Sequence, residues 1–196
     1  MRNVILSLLV ILAPVVAYSQ HSYNECFSLD FNPIAVSRCN DWNEYNEEHN
    51  EITYNNIYGI CSLTNISDSI LTFWMMSCSW TDQIKISPSV IELSVPGCDA
   101  NYPKKITLKP GQKLLLNSIV EIPEDIFEEA MNTNTNVPNP KYPTFEIGFQ
   151  LIEESDYSIS QDIWFYDLIS SKSDSKNFVW TGPIPIRYYY YEWEIN

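Results

Sequence analysis

The sequence predicts an all-β protein, an antiparallel sandwich of two sheets with one short connector helix. Short apolar stretches with the alternation typical of strands recur along the chain, and clusters of turn-forming residues separate them. The chain has 196 residues, of which 45% are hydrophobic and 14% aromatic, so it is long enough to bury a core within one domain. About seven or eight short strands separated by turns indicate two packed antiparallel sheets.

The first residues have the pattern of a targeting segment. The apolar run from Val4 to Val16 has the length of a secretory signal and is too short to cross a bilayer. Small residues follow this run and predict cleavage before Gln20, with cleavage before His21 as the neighbouring alternative. We therefore expect residues 1–19 to be a signal peptide and the mature protein to be secreted or periplasmic. No later stretch has the length and apolar character of a membrane span.

Export makes the five cysteines candidates for disulfide bonds, and an odd number leaves at least one of them unpaired in a monomer. A bond from Cys26 to Cys39 would close a short N-terminal loop. A bond from Cys78 to Cys98 would tie the end of one strand to the segment beyond the next. Cys61 lies among apolar residues, so we expect a buried free thiol there, with alternative pairings left open because spacing alone does not fix connectivity.

The strand–turn–strand pattern from Ile57 to Trp80 is the strongest hairpin signal in the chain. The segment Asn65–Asp68 contains Asn, Ser and Asp, whose side chains bond to nearby backbone in tight turns. Both faces of the second strand, from Ile70 onward, are largely apolar, which favours a central position in a two-layer core.

Further strands follow this pair. Apolar runs and alternation predict strands at 84–86, 91–95, 106–109, 114–122, 145–151, 163–169, 178–180 and 184–193. Pro110 and Gly111 suit the two central positions of a type II turn. Only Glu124–Met131 has a helical pattern, with Pro123 and an acidic first turn at its start, as favoured at a helix N-terminus.

Three segments resemble those of bacterial secreted modules with an immunoglobulin-like fold. They are Thr64–Asp68 ahead of an aromatic strand, Cys78–Trp80, and Leu108–Gln112 leading into another strand. The resemblance implies an immunoglobulin-like sandwich over residues 53–196, preceded by an acidic N-terminal extension at 20–52. This fold hosts many unrelated functions, so the resemblance carries no functional residue over to this chain.

Composition disfavours several classes of function. The chain has 11 Lys and Arg against 25 Asp and Glu, a net charge of −14, so a nucleic-acid partner is not expected. The acidic residues at 41–51 lack the spacing of an EF-hand loop and are interpreted as a solvated linker. No metal site or cofactor is predicted. The alternative is a secreted hydrolase or metal-dependent enzyme, which would need a buried carboxylate pair or a cluster of His21 with His49.

Aromatic residues concentrate at the C-terminus and provide the candidate binding site. On a strand, Tyr189, Tyr191 and Trp193 would share one face. Exposed aromatic rows stack on sugars or anchor a protein partner, whereas buried rows cover the edge of a sandwich. The sequence therefore predicts a non-catalytic binding or structural module, whose glycan or protein ligand would contact Trp180 together with these three residues.

Overall fold

The computed structural model of the protein describes residues 23–40, 53–95, 101–131, 141–159, 164–172 and 177–186. In this part of the chain, the strands are β1 (Phe27–Asn40), β2 (Thr53–Asn65), β3 (Leu71–Met76), β4 (Ile84–Ser87), β5 (Glu92–Ser94), β6 (Pro103–Leu108), β7 (Lys113–Pro123), β8 (Thr144–Gln150), β9 (Ile152–Glu153), β10 (Phe178–Trp180) and β11 (Ile184–Pro185). The helices are α1 (Glu124–Met131), α2 (Glu154–Ile159) and α3 (Phe165–Ser171). All strand pairs are antiparallel, which confirms the predicted all-β sandwich with a short helix.

One layer of the sandwich is a four-stranded sheet with the order β1-β2-β7-β5. β2 pairs with β1 along its whole length and with β7 from Tyr54 to Thr64. Alternate residues of β2, including Ile57, Cys61 and Leu63, are fully buried. These side chains share one face of the strand, because successive side chains point to opposite faces. This face is directed at the second layer, since all three residues belong to the core between the layers.

The strand β1 corrects the domain boundary expected at residue 53. It lies within residues 20–52, which the sequence assigns to an acidic extension, yet it forms the edge strand of the larger sheet. Phe27 and Leu29 are buried in the core, and the Phe27 ring contacts Phe73 of the other layer edge-on with centroids 5.6 Å apart. The sandwich therefore includes Phe27–Asn40, which precede the expected boundary.

The second layer consists of two smaller sheets that β8 and β9 connect. β8 pairs with β4, β10 and β11, while β9, one residue further along, pairs with β3, which also pairs with β6. Side chains from both layers belong to one hydrophobic core, which includes Val120 of the larger sheet and Phe73 and Phe149 of the smaller sheets. The rings of these two phenylalanines meet edge-on at 6.0 Å.

A side-chain amide bridges the interruption between β3 and β4. Gln83 is fully buried at the end of a 3-10 turn, Trp80–Gln83. Its Oε1 accepts a hydrogen bond from Met76 N at 3.0 Å, and its Nε2 donates to Trp74 O at 3.1 Å and to Gln150 O at 3.0 Å. Gln83 thus satisfies main-chain groups that regular strand pairing would otherwise occupy.

The predicted hairpin from Ile57 to Trp80 is wrong in its pairing, although its turn forms. β2 lies in the larger sheet and β3 in a smaller one, so the turn carries the chain from one layer to the other. Asn65 is fully buried beside the turn, where its Nδ2 donates to Ser69 O at 2.7 Å and Leu108 O at 2.9 Å. Its Oδ1 accepts from the Ser67 main chain at 2.9 Å and hydroxyl at 2.8 Å, so this amide holds the crossing in place.

Two other local predictions are confirmed. Gly111 has a φ of +73°, and Gln112 N donates to Lys109 O at 2.9 Å, as in the predicted type II turn. The predicted connector helix forms at Glu124–Met131 and buries Ile126 and Phe127.

The strand predicted at 163–169 is wrong, because Phe165–Ile169 lie within α3. Phe165, Leu168 and Ile169 are buried on one side of this helix and form, with Ile152, a second small core. Their spacing is that of one helix face. Gln150 Nε2 attaches the helix to β8 by donating to Ile169 O at 3.0 Å and Lys172 O at 2.6 Å. None of the helices in the described ranges has the length and apolar character that a membrane crossing requires.

The cysteines follow the predictions in part. Cys61 is a buried free thiol, as expected, and burial raises its pKa to about 11. Cys26 is also free, so the expected bond to Cys39 is not formed. Cys26 immediately precedes β1, and Cys39 lies near the far end of this strand. An extended strand of this length separates the two residues by roughly 40 Å. A disulfide needs Cα atoms about 4.4–6.8 Å apart. Cys78 is not among the free thiols. Its expected partner Cys98 lies outside the described residues, so that pairing stays a prediction.

Candidate functional site

Of the four predicted binding residues, the described part of the chain contains Trp180. Tyr189, Tyr191 and Trp193 lie outside the described residues, as do His21 and His49. Trp180 is the last residue of β10 and is half-buried. Its surroundings therefore define the candidate site.

The Trp180 side chain lies on the outer face of its sheet. The preceding residue, Val179, belongs to the hydrophobic core, so Trp180 points to the opposite face. Gly148 of β8 is paired with Trp180. Its chain neighbours Ile147 and Phe149 are fully buried in the core, which places Gly148 on the same outer face as the tryptophan.

Gly148 allows the indole ring of Trp180 to lie against the sheet. A Cβ atom at Gly148 would come within 2.9 Å of three ring atoms of Trp180, Cδ2, Cε2 and Cε3. The equal distances mean that the added carbon would meet the face of the ring rather than its edge. Glycine is thus required for this close approach, and one face of the indole is packed on main chain.

Lys85 flanks the same glycine from the other side. Gly148 pairs with Lys85 of β4 as well as with Trp180, and residues that pair directly project from the same face of a sheet. The Lys85 ammonium lies 4.6 Å from the centroid of the Phe178 ring, a cation–π geometry. The Phe178 and Trp180 rings are 5.7 Å apart at an interplanar angle of 32°. An ammonium group and two aromatic rings are therefore gathered around Gly148.

Trp180 and Lys85 line an open groove of about 560 Å³ that continues from β4 to β5. Its apolar lining comes mainly from aliphatic side chains of these strands and of the segment between them. Its polar lining comes from Thr81, Ser89, Lys85 and Glu92. This volume lies within the roughly 300–1,000 Å³ of small-ligand sites, and aromatic walls with a few polar groups are typical of such sites.

Another part of the outer face of the second layer, formed by β3 and β9, is covered by helices and differs in this from the groove. There α2 and α3 pack over β3 and β9, and the Trp74 ring stacks on Tyr157 with centroids 3.9 Å apart. Lys105 pairs with the Glu154 carboxylate at 2.8 Å, and Trp74 Nε1 donates to the same carboxylate at 2.9 Å. The contact with Lys105, and then that with Trp74, lowers the pKa of Glu154. This tryptophan is thus occupied within the protein, whereas Trp180 borders open space.

The groove is suited to binding a polar ligand with an apolar face. Among its described lining residues, Glu92 is the single carboxylate and Lys85 the single ammonium. Paired carboxylates, as in glycoside hydrolases, are not part of that lining. Across the described ranges, no three His, Cys, Asp or Glu side chains gather into a group that could hold a metal ion.

Sequence reasoning identified Trp180 but missed the residues that surround it. Gly148 gives a usable signal, because it is the one small residue in the alternating strand Phe145–Leu151, and glycine inside a strand marks close approach of a neighbour. Lys85 and Glu92 give none, since Lys85 comes beside Trp180 through the pairing of both residues with Gly148, and Glu92 reaches the groove from β5 of the other layer. The chain matches no protein-family model and no curated protein.

Proposed function

We propose that the protein is an exported, non-catalytic module that binds a glycan by stacking a sugar ring on Trp180. The observation that carries this proposal is the position of the indole, which rests flat on Gly148 and lines the groove. One face of the ring packs on main chain, and the half-buried indole borders the open groove, where a ligand can reach it.

A sugar ring matches such a site physically. An indole offers a large apolar contact area at low cost in side-chain entropy, and the C–H face of a pyranose is likewise apolar. The hydroxyl groups at the edge of a sugar both donate and accept hydrogen bonds. The groove supplies partners for them in Thr81, Ser89, Lys85 and Glu92.

Export and the immunoglobulin-like class remain parts of the proposal. The apolar run at Val4–Val16 supports a secretory signal, and a glycan-binding module is useful in the periplasm or outside the cell. The antiparallel sandwich supports the immunoglobulin-like interpretation, although the fold alone implies no ligand.

The first test is a glycan array with the mature protein from Gln20 and two single variants. Trp180→Ala removes the stacking surface, and we expect at least a tenfold loss of binding. Trp164→Ala is the matched control, because Trp164 is 84% exposed at the start of α3 and does not line the groove. Both variants are first shown to melt cooperatively. Equal binding by wild type and Trp180→Ala would overturn the role of Trp180, and a wild type that binds no glycan would overturn the glycan proposal.

A second pair of variants tests the geometry while keeping the tryptophan. Gly148→Ala forces the indole away from β8, so we expect weaker glycan binding although Trp180 is present. Gly182→Ala is the control, since a Cβ there meets no atom within 4 Å. If Gly148→Ala binds as tightly as Gly182→Ala, the packed indole is not the binding surface. A Tyr189→Ala/Tyr191→Ala/Trp193→Ala variant then tests whether the predicted C-terminal row takes part.

A further inference from the structure

We infer that the groove binds several consecutive units in the interior of a linear glycan chain, rather than a monosaccharide or a chain end. This inference rests on the proposed glycan-binding function and specifies the form of the ligand. It is carried by the course of the groove, which crosses from one layer of the sandwich to the other, and by the open space at both of its ends.

The groove is longer than one sugar ring. Trp180 and Lys85 both pair with Gly148, so β8 lies between their strands and the two main chains are about 10 Å apart. From β4 the groove continues to β5 in the other layer, and packed layers lie about 10 Å apart. The course from Trp180 to Glu92 therefore covers roughly 20 Å. A pyranose ring is similar in size to the six-membered ring of the indole, so one sugar on Trp180 does not reach Glu92.

The polar groups at the β5 end of the groove are suited to the additional sugars. Ser89, in the segment between β4 and β5, and Glu92, on β5, are exposed and line the groove. The Ser89 hydroxyl donates and accepts hydrogen bonds, and the Glu92 carboxylate accepts them, so both suit sugar hydroxyl groups. The Lys85 ammonium is engaged within the protein, where it lies 4.6 Å from the Phe178 ring centroid. Ser89 and Glu92 are therefore the polar contacts expected for units beyond the first.

Both ends of the groove are open. Gly182, two positions after Trp180, is exposed, and a Cβ there would meet no atom of the described residues within 4 Å. At the other end, Ser89 and Glu92 are exposed, as is Val90 between them. A site for a chain end needs a wall at which the sugar stops, whereas open ends let a chain continue in both directions.

Binding should strengthen with chain length until the groove is filled. The loss of translational and rotational freedom arises once for each ligand, whereas every further unit in the groove adds contacts. A monosaccharide has the contact with Trp180 and little else. A polymer presents many interior positions, so several protein molecules should bind along one chain.

The test measures affinity against chain length by isothermal titration calorimetry with the mature protein from Gln20. The probes are glucose, xylose and mannose, the cello-, xylo- and manno-oligosaccharides of two to six units, and soluble β-glucan, xylan and glucomannan. In the series that binds, the hexasaccharide should bind at least tenfold more tightly than the monosaccharide. The corresponding polymer should take up more than two protein molecules per chain, since a linear chain has only two ends.

A variant at the β5 end separates the additional units from the contact with Trp180. Ser89→Leu fills this end of the groove and removes its hydroxyl group, so the affinity for the hexasaccharide should fall at least fivefold. Val90→Leu is the matched control, because Val90 is adjacent and exposed but does not line the groove, and it should bind as wild type does. Both variants are first shown to melt at the wild-type temperature.

The outcomes distinguish this inference from the proposed function. A monosaccharide that binds within twofold of the hexasaccharide, or a polymer that takes up no more than two protein molecules per chain, would overturn the inference. Equal hexasaccharide binding by Ser89→Leu and wild type would also overturn it. In each of these cases, loss of binding in Trp180→Ala would leave the proposed function standing. Binding of no saccharide at all would overturn the proposed function itself.

Discussion

Replacing Asn65 with alanine is expected to lower the free energy of unfolding by about 3 kcal/mol. The Asn65 amide is fully buried and makes four hydrogen bonds, which use both donors and both acceptor positions of the group. The buried carbonyl of Leu108 would be left without this partner, at a cost of about 1–3 kcal/mol, and the bonds nearer the surface contribute about 0.5–1 kcal/mol each. For a chain of this size, the loss corresponds to a fall in Tm of roughly 6–12 °C.

The assay is urea unfolding followed by tryptophan fluorescence, with thermal unfolding as a second measurement. Asn117→Ala is the matched control, because Asn117 is exposed on β7 and its loss should change stability by less than about 0.5 kcal/mol. Asn65→Asp should be at least as damaging as Asn65→Ala at neutral pH, since a carboxylate cannot donate to the carbonyls of Ser69 and Leu108. A loss below about 1 kcal/mol for Asn65→Ala, with an unchanged urea m-value, would refute the reasoning.

Three further predictions concern the core and its buried groups. Gln83→Leu should cost about 3 kcal/mol, because three main-chain groups lose their partner; urea unfolding checks this, and a cost near zero would contradict it. Iodoacetamide should modify half-buried Cys26 in the native protein but Cys61, whose pKa burial raises to about 11, only after unfolding; equal native rates would count against this. Burial and then Asp156 raise the pKa of Glu153 above 4.5, so its stabilising effect is complete below that pH and is lost as the pH rises through the raised value. Glu153→Gln should therefore flatten the pH dependence of unfolding above pH 4.5, and an unchanged profile would argue against it.

The sequence predicts those elements whose formation depends on the conformational preferences of neighbouring residues. The Pro110–Gly111 turn depends on the φ preferences of two adjacent residues, and α1 depends on a first turn with acidic side chains after Pro123. The strand Thr144–Gln150 alternates along its own length. Each of these patterns is complete within about ten residues and needs no partner to be recognised.

Features that depend on distant partners were missed. The turn after Asn65 has the composition of a hairpin turn, and only the bond from its amide to Leu108, 43 positions along the chain, shows that the strands diverge into different layers. The apolar run at 163–169 is short enough to fit a strand or a helix, and packing on Ile152 decides for the helix.

The candidate site was predictable in one residue. Trp180 belongs to an aromatic-rich segment that composition alone singles out. Gly148 and Lys85 become part of the site because β8 pairs with β10 and β4 at the same position. Strand pairing of this kind joins residues far apart in sequence, so single-sequence patterns do not contain it.

The order of strands in the larger sheet has a consequence for how the chain folds. β2 finds β1 immediately before it, but its other neighbour, β7, begins with Lys113 opposite Thr64, 49 positions later. When the chain is synthesised from its N-terminus, β1 and β2 can pair early. The other edge of β2 then remains unpaired until β7 has been synthesised. Such delayed pairing slows folding and leaves an edge open to other chains. Completion of the larger sheet therefore waits for the second half of the sequence, and premature release of the first half would favour aggregation over folding.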